Sequence, residues 1–307
     1  MGKLIWCSDI HLNFVGGGKS VCAEALTEFY TALRETEGDA VLITGDIAES
    51  HNIVDTLKQM EQTVGKPIYF VLGNHDFYGS SVAAVRKSVK NIGADIHYIP
   101  AKAIELSAST TLIGVDAWGD CRNGDYERSR ITMSDWLYIK DLNQGYIHGM
   151  QPLKEAIQKL ADADARALAR QIRAALKVQT GCKNCQETGH MGHCAGLGKY
   201  VVCTECNGTG KIKRYNNIII ATHVPPFKEA CMYAGRKSTS DGLCFWSSQI
   251  LGTTIKPIVQ KHPDVNFTWL CGHTHSGVKF QAGVNLVVKV AQAEYYYPEM
   301  AEVIEYV

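Results

Sequence analysis

Seven short apolar runs set the tightest limit on what this chain can fold into: Lys3–Cys7, Ala40–Thr44, Ile68–Leu72, Thr111–Val115, Ile218–Thr222, Phe267–Cys271 and Leu286–Val290. Each run is mainly apolar rather than alternating, the pattern of strands buried on both faces of a sheet. Amphipathic helical patterns separate the first three. One covers Val21–Thr36, where Leu26, Phe29, Tyr30 and Leu33 recur at helical spacing, and the other covers Ile53–Val64. Strand, helix, strand, helix, strand is a βαβ series, so this part of the sheet is parallel. The last runs have no helical pattern between them and are expected to join as antiparallel strands. The longest helix is expected over Pro152–Val178, with Pro in the first turn and Leu153, Ile157, Leu160, Leu168, Ile172 and Leu176 in one stripe. The expected class is an α/β sandwich.

The chain has 307 residues, 46% hydrophobic and 20% charged, enough to bury a large core. Lys+Arg and Asp+Glu both total 31, so no global field draws the protein to nucleic acid or to an anionic membrane. The apolar stretch before Asp9 is too short for a signal-peptide core, and no segment approaches a membrane span. Five of the eleven cysteines crowd into residues 181–214. The others, Cys7, Cys22, Cys121, Cys231, Cys244 and Cys271, are scattered and are expected to be small buried hydrophobes. The expected compartment is the reducing cytoplasm.

A polar cluster follows five of the runs. Ser8-Asp9-Ile10-His11, Gly45-Asp46 and Gly73-Asn74-His75-Asp76 follow the first three, His223 follows Ile218–Thr222, and Gly272-His273-Thr274-His275 follows Phe267–Cys271. The carboxyl ends of parallel strands share one edge, where sites form, so these clusters are expected to converge. Asp, Asn and His offer oxygen and imidazole donors without thiolate, a set suited to Mn, Fe, Zn, Co or Ni. They are too many for one tetrahedral ion. In Asp-x-His and His-x-His both side chains lie on one side of an extended backbone, and two divalent ions about 3.5–4 Å apart satisfy the donor count. Gly45, Gly73 and Gly272 allow close backbone approach.

In this order the blocks resemble the calcineurin-like metallophosphoesterase superfamily, whose pattern is D-x-H, G-D, G-N-H-D/E, H and G-H-x-H. The resemblance implies a four-layer α/β/β/α sandwich over residues 1–307, interrupted by a small insertion at 181–214. By block matching, Asp9, His11, Asp46 and His275 would hold one metal, and Asp46, Asn74, His223 and His273 the other, with Asp46 bridging. The implied activity is phosphoester hydrolysis by a hydroxide generated between the two cations. His75 lies outside the ligand set and is expected to protonate the leaving oxygen, oriented by Glu49 or Asp76.

The related Ser/Thr phosphatases carry G-D-x-x-D-R-G. Gly45-Asp46-Ile47-Ala48-Glu49-Ser50-His51 lacks that arginine. The spelling is closer to the phosphodiesterase branch, and the expected substrate is a small nucleotide-like phosphodiester. The alternatives are a broad-specificity phosphomonoesterase and a metal-dependent nuclease. Substrate groups are expected from Val115–Ser129, with Trp118 and Tyr126 stacking on a base and Arg122, Arg128 or Arg130 binding a phosphate; Arg236 and Lys237 are further candidates.

Cys182–Gly189 and Cys203–Gly210 are two copies of C-x-x-C-x-x-T-G. Paired C-x-x-C units at this spacing predict a structural zinc held by Cys182, Cys185, Cys203 and Cys206, with His190, His193 and Cys194 as spare ligands. The repeat resembles the DnaJ zinc region, C-x-x-C-x-G-x-G, except that Glu187 stands where a Gly is expected. The segment has too few large apolar residues for its own core. It is expected to act as a scaffold, dimer contact or lid, or, in the nuclease reading, to touch nucleic acid through five basic residues set against two acidic ones.

Overall fold

The computed structural model describes residues 1–12, 15–16, 19–194 and 199–307, with the backbone alone at 15–16, 19–20, 193–194 and 199. The side chains of His193 and Cys194 therefore lie outside the described residues. Two sheets face each other. The first has the order Glu302–Tyr306, Gly2–Cys7, Ala40–Thr44, Ile68–Val71, Ile96–Tyr98. Its last four strands are parallel and Glu302–Tyr306 is antiparallel. The second has the order Val278–Gly283, Leu286–Val290, Asn266–Cys271, Asn217–Ala221, Thr110–Gly114, Ile104–Glu105. It is parallel through its four central strands and antiparallel at both edges.

Side-chain alternation with period two sorts these strands into layers. Ile5, Val41 and Ile43 face the helices Ala23–Glu35 and Ile53–Val64 through Phe29, Leu33, Leu57 and Met60. Their neighbours Leu4, Trp6 and Leu42 point the other way and meet Leu112, Ile219 and Leu270 between the sheets. Beyond the second sheet, Ile113, Ile220, Phe267 and Trp269 pack on the helices Met150–Lys177 and Gln249–Gln260. The result is the four-layer α/β/β/α sandwich, held by three apolar layers. Among the described residues no helix is long and apolar enough to cross a membrane.

Two expectations for the C-terminal part are corrected. Helix Gln249–Gln260 stands between the Asn217–Ala221 and Asn266–Cys271 strands, and Asn266–Cys271 and Leu286–Val290 join parallel, not antiparallel. Pro257 and the β-branched residues disguise this helix in the sequence, but Leu251, Ile255 and Val259 recur every four residues and are buried together.

A buried ionic network braces the third strand against the long helix. Arg86 pairs with Asp116 at 2.7 Å and with Asp164 at 2.8 Å. Asp116 also accepts from the Tyr98 hydroxyl at 2.6 Å and from the Leu72 N–H at 2.8 Å. Leu72 directly precedes the Gly73-Asn74-His75-Asp76 turn, so the network fixes the strand end that carries the site.

The cysteine-rich segment is closed at its neck by Gln179–Gly181 pairing antiparallel with Lys211–Lys213. Lys213 holds Asp264 at 2.7 Å, and Arg214 pairs with Glu105. These contacts lie at the amino ends of the second sheet's parallel strands, where Asn217 sits beside Asn266 and Thr110. The five polar clusters lie at the carboxyl ends. The insertion leaves the body at the opposite edge, so the expectation of a lid is corrected.

Candidate active site and cysteine cluster

The backbone at the strand ends is bent into an unusual conformation. Asp9, His11, Asp46, His273 and His275 all have left-handed φ, between 41° and 70°. Each such residue costs about 1 kcal/mol or more and persists only where the surroundings over-determine it. Here the loops are stitched together. Asp9 N–H donates to Gly45 O at 3.0 Å, His11 N–H to Asp46 O at 2.9 Å, and Gly272 N–H to His223 O at 2.8 Å. His273 N–H donates to the Asp9 carboxylate at 3.0 Å and His75 N–H to the Asp46 carboxylate at 2.9 Å. A Cβ at Gly73 would collide with the Asp46 carboxylate, so the close approach expected of this glycine is realised.

All seven expected ligands come together. Asp9, His11, Asp46 and His275 form one group whose donor atoms lie within 4.8 Å of one another. Asp9 Oδ1 is 3.3 Å from His275 Nε2, and His11 Nε2 is 3.4 Å from the same nitrogen. On the other side, His223 Nε2 lies 3.0 Å from Asn74 Oδ1 and 3.1 Å from His273 Nδ1. Asp46 stands between the groups, Oδ2 3.7 Å from His11 Nε2 and Oδ1 3.5 Å from His223 Nε2.

The protons decide whether cations fit. His223 Nδ1–H donates to Thr44 O at 2.9 Å, and His273 Nε2–H donates to Phe245 O at 3.2 Å. Each ring therefore turns its other nitrogen inward. Asn74 Nδ2 donates to Asp135 at 2.9 Å, which turns Oδ1 inward as well. His223 Nε2 thus lies about 3 Å from both Asn74 Oδ1 and His273 Nδ1, a spacing that matches the edge of a coordination shell with bonds of about 2.0–2.2 Å.

Titration points the same way. Burial holds His11, His75 and His273 below the usual histidine range, the latter two at about 3, so these rings are neutral. Burial, together with the charges of Asp9 and Asp76, pushes Asp46 well above the carboxylate range. Burial also opposes the charge on Asp9, but the hydrogen bond and charge of His275 hold its carboxyl well below that range. Burial lowers His275 too, and Asp9 more than offsets it, leaving the ring above its ordinary value. Crowded carboxylates beside neutral imidazoles are relieved by bound cations.

The residues around His75 differ from expectation. Asp76 is fully buried and accepts from the Ile47, Ala48 and Gly73 N–H groups, each at 2.8 Å. It ties two loops together and does not orient His75. Glu49 faces His51 at 3.6 Å on the surface, and its carbonyl accepts from Asn52 and Ile53 at the start of helix Ile53–Val64. The acid beside His75 is Asp46, 4.0 Å from Nε2, and the ring stacks on Tyr78 at 4.5 Å.

Most of the substrate expectations are corrected too. Trp118 is buried against Phe77, and Tyr126 is buried with its hydroxyl donating to Met150 O at 2.6 Å, so neither can stack on a base. Arg122 is taken by Asp120 at 3.2 Å and Asp162 at 2.7 Å. Arg128 is exposed beside Asp125 and, like Arg130, does not line the cleft. The cleft beside the ligands, about 710 Å³, is walled by Met133, Tyr233, Trp246 and Tyr295. A larger groove of about 1210 Å³, between the Ile96–Tyr98 strand and the end of the long helix, contains none of the ligands.

Sequence reasoning missed Tyr295, whose ring lies 4.6 Å from His275 and 4.7 Å from His11. Its signal was the aromatic run Tyr295–Tyr297. It also missed Asp135, a buried carboxylate that accepts from Asn74 and, at 2.7 Å, from the Tyr78 hydroxyl. Nothing in the sequence near Asp135 marks it.

Residues 2–170, more than half of the chain, match the calcineurin-like phosphoesterases, and the protein belongs to that family. A transmembrane protein with a metallophosphoesterase domain from Danio rerio is 30% identical over 98 residues, 30% of this chain and 21% of that protein. The chain thus spans about a fifth of the length of this curated relative. Among solved structures, a dimetal phosphatase from Danio rerio superposes with a TM-score of 0.51 at 16% identity, covering 95% of this chain and 87% of that one. Phosphopantetheinyl hydrolase from Mycobacterium tuberculosis gives 0.50 at 11% identity, covering 96% and 90%. At these identities the likeness is one of fold.

Because Asp135 sets which end of the Asn74 amide turns inward, Asp135→Ala is expected to weaken metal affinity about 10- to 100-fold. Titrating metal-free protein with Mn²⁺ and following activity measures the change. An unaltered binding curve would remove Asp135 from this role.

At the far edge, Cys182, Cys185, Cys203 and Cys206 converge. The Cys182–Cys203 and Cys185–Cys206 sulfurs are 3.8 and 3.7 Å apart. Four sulfurs at a Zn–S distance of about 2.3 Å stand about 3.8 Å apart at the corners of a tetrahedron. The two repeats are built alike. Gly189 N–H donates to Cys185 Sγ at 3.2 Å, and Gly210 N–H to Cys206 Sγ at 3.3 Å. Glu187, at the non-matching position, adopts φ 66° where Gly208 has φ 79°. The turn therefore survives the substitution.

Proposed function

We propose that this chain is a metal-dependent phosphoester hydrolase that acts on phosphodiesters. One observation carries the reading: the side chains lining the catalytic cleft include no Lys or Arg among the described residues, while Met133, Trp246, Tyr233 and Tyr295 supply apolar and aromatic walls. A monoester brings a second phosphoryl charge that those walls leave unpaired. A diester carries one charge and two organic arms, which the walls can cover.

Asp9, His11, Asp46 and His275 would hold one divalent cation, and Asp46, Asn74, His223 and His273 the other, drawn from Mn, Fe, Zn, Co or Ni. When bound, the pair supplies Lewis acidity to the phosphoryl oxygens and lowers the pKa of an attacking water. The protein's own contribution is orientation. The Thr44 and Phe245 carbonyls fix the tautomers of His223 and His273. His75 opens into the cleft with its side chain 15% exposed, and Tyr78 stacks on its ring. From there the neutral His75 ring would donate an N–H hydrogen bond to the ester oxygen, assisting its departure as the P–O bond breaks and the water oxygen takes its place on phosphorus, with solvent supplying the leaving group's proton.

The cysteine cluster would hold a structural zinc that closes an insertion lacking an apolar core. Its place at the opposite edge favours the diesterase over a nuclease that grips polymer through the insertion. The test uses metal-reconstituted protein with bis(p-nitrophenyl) phosphate and p-nitrophenyl phosphate. The expected kcat/KM favours the diester at least about tenfold, and replacing residues 181–214 by a short Gly-Ser link leaves that ratio within about threefold. A preference for the monoester would overturn the diesterase reading.

A further inference from the structure

We propose that the hairpin Met232–Lys237 is the subsite for one arm of the substrate, taking a planar group of nucleobase type on Tyr233 and a second phosphate on Arg236. The inference rests on the diesterase reading and names its substrate class: a nucleotide diester with a further phosphate on the same arm.

The local sequence builds the platform. Met232–Tyr233 pairs antiparallel with Arg236–Lys237. Ala234 and Gly235 form a two-residue turn with φ 48° and 72°, the left-handed pair that suits a tight hairpin. Tyr233 and Arg236 are direct cross-strand partners, so both side chains lie on one face of the hairpin. Tyr233 lines the cleft together with His75 and Tyr295, while Arg236 stands outside that lining on the same face of the hairpin.

One side of the Tyr233 ring is already occupied. It stacks on Trp246 at 4.3 Å and an interplanar angle of 18°, while the residue stays 53% exposed. Trp246 is seated over Gly242, where a Cβ would collide with its ring. The residue before it, Phe245, accepts the His273 Nε2–H at 3.2 Å, so one helix, Ser240–Trp246, carries both Trp246 of the platform and the carbonyl that orients His273. The base of the hairpin is fastened to that helix by Cys231 Sγ, 3.3 Å from both Ser238 Oγ and Trp246 O. A ring pair held this firmly with one face open can stack a base at little entropic cost.

Arg236 supplies the other half. Arg86, Arg122 and Arg214 are each ion-paired within the protein. Arg236 is exposed, and no carboxylate of the described residues lies within ion-pair distance of it. A guanidinium on the same face as a stacking ring matches a phosphate attached to the stacked nucleoside.

The test compares the dinucleotide ApA with its 5′-phosphorylated form pApA, using the full chain loaded with Mn²⁺. Arg236→Ala is expected to reduce the pApA-to-ApA ratio of kcat/KM about tenfold, mainly through KM, with Arg236→Lys recovering part of it. Tyr233→Ala is expected to raise KM for both dinucleotides about tenfold, and Tyr233→Phe to restore it. Ratios unchanged in Arg236→Ala, or Tyr233→Ala equal to wild type, would overturn the subsite. The same comparisons read as inhibition constants of ApA and pApA decide the subsite even if the wild type hydrolyses monoesters alone, an outcome that would sink only the diesterase reading.

Discussion

Asp46→Asn is expected to lower kcat/KM for phosphoesters by about a thousandfold or more while leaving the fold intact. The Asp46 carboxylate faces both donor sets, 3.7 Å from His11 and 3.5 Å from His223. Asparagine has the same shape, and its oxygen can still accept from His75 N–H, so the loop has no reason to move. It lacks the negative charge, and its amide nitrogen would present hydrogens where the second donor is required. A loss of several kcal/mol of charge stabilisation corresponds to a rate loss of this size, each ~1.4 kcal/mol being tenfold. Steady-state kinetics paired with elemental analysis reads the result: about one tightly held divalent ion fewer per chain, at an unchanged melting temperature. Wild-type turnover with wild-type metal content would remove Asp46 from the bridge.

Asp76→Ala is expected to have the largest effect on stability of any single change at the site. The carboxylate is fully buried and satisfies three backbone N–H groups, those of Ile47, Ala48 and Gly73. Removing it leaves all three without an acceptor, at about 1–3 kcal/mol each, so a total of roughly 3–9 kcal/mol is expected against a typical margin of about 5–15 kcal/mol. A fall in Tm of roughly 10 °C follows for a chain of this size. Asp76→Asn keeps one acceptor oxygen and should fall in between. Activity should drop as well, because the two loops tied by Asp76 carry Asp46 and Asn74. A melt of Asp76→Ala that matches wild type would show that water or a loop shift replaces those bonds.

These two residues also mark how far the sequence could be read. Asp46 was legible because its chemistry needs its type, order and neighbours: a buried run, a glycine, then a carboxylate. The same holds for Asp9, His11, Asn74, His223, His273 and His275. The strands were legible for a related reason, since runs dominated by apolar residues stand out from their surroundings. Ala40–Thr44, buried throughout, and Leu286–Val290, buried at alternate residues, have the expected bounds. Asp76 was misread because it belongs to the same motif, and only the tertiary structure reveals that its oxygens are occupied by amides.

Trp118, Tyr126 and Arg122 were misread for another reason. Their segment has neither helical nor strand period, so it looks like an open loop. In the fold, Tyr126 packs edge-on against Phe245, Trp118 lies against Phe77, and Asp120 and Asp162 take up Arg122. The true cleft wall comes from Tyr233, Trp246 and Tyr295, which reach the site from sequence positions far from its ligands. Asp135 belongs to the same class. Long-range packing placed these residues, and no local pattern encodes it.

The central claim is a phosphodiester hydrolase that needs two divalent ions. Metal-free protein with its cysteine cluster loaded should be titrated with Mn²⁺ while kcat/KM for bis(p-nitrophenyl) phosphate is followed. The account predicts negligible hydrolysis without added metal and a rise that saturates at two equivalents per chain. Full activity at one equivalent, or in the absence of any divalent ion at the site, would contradict it.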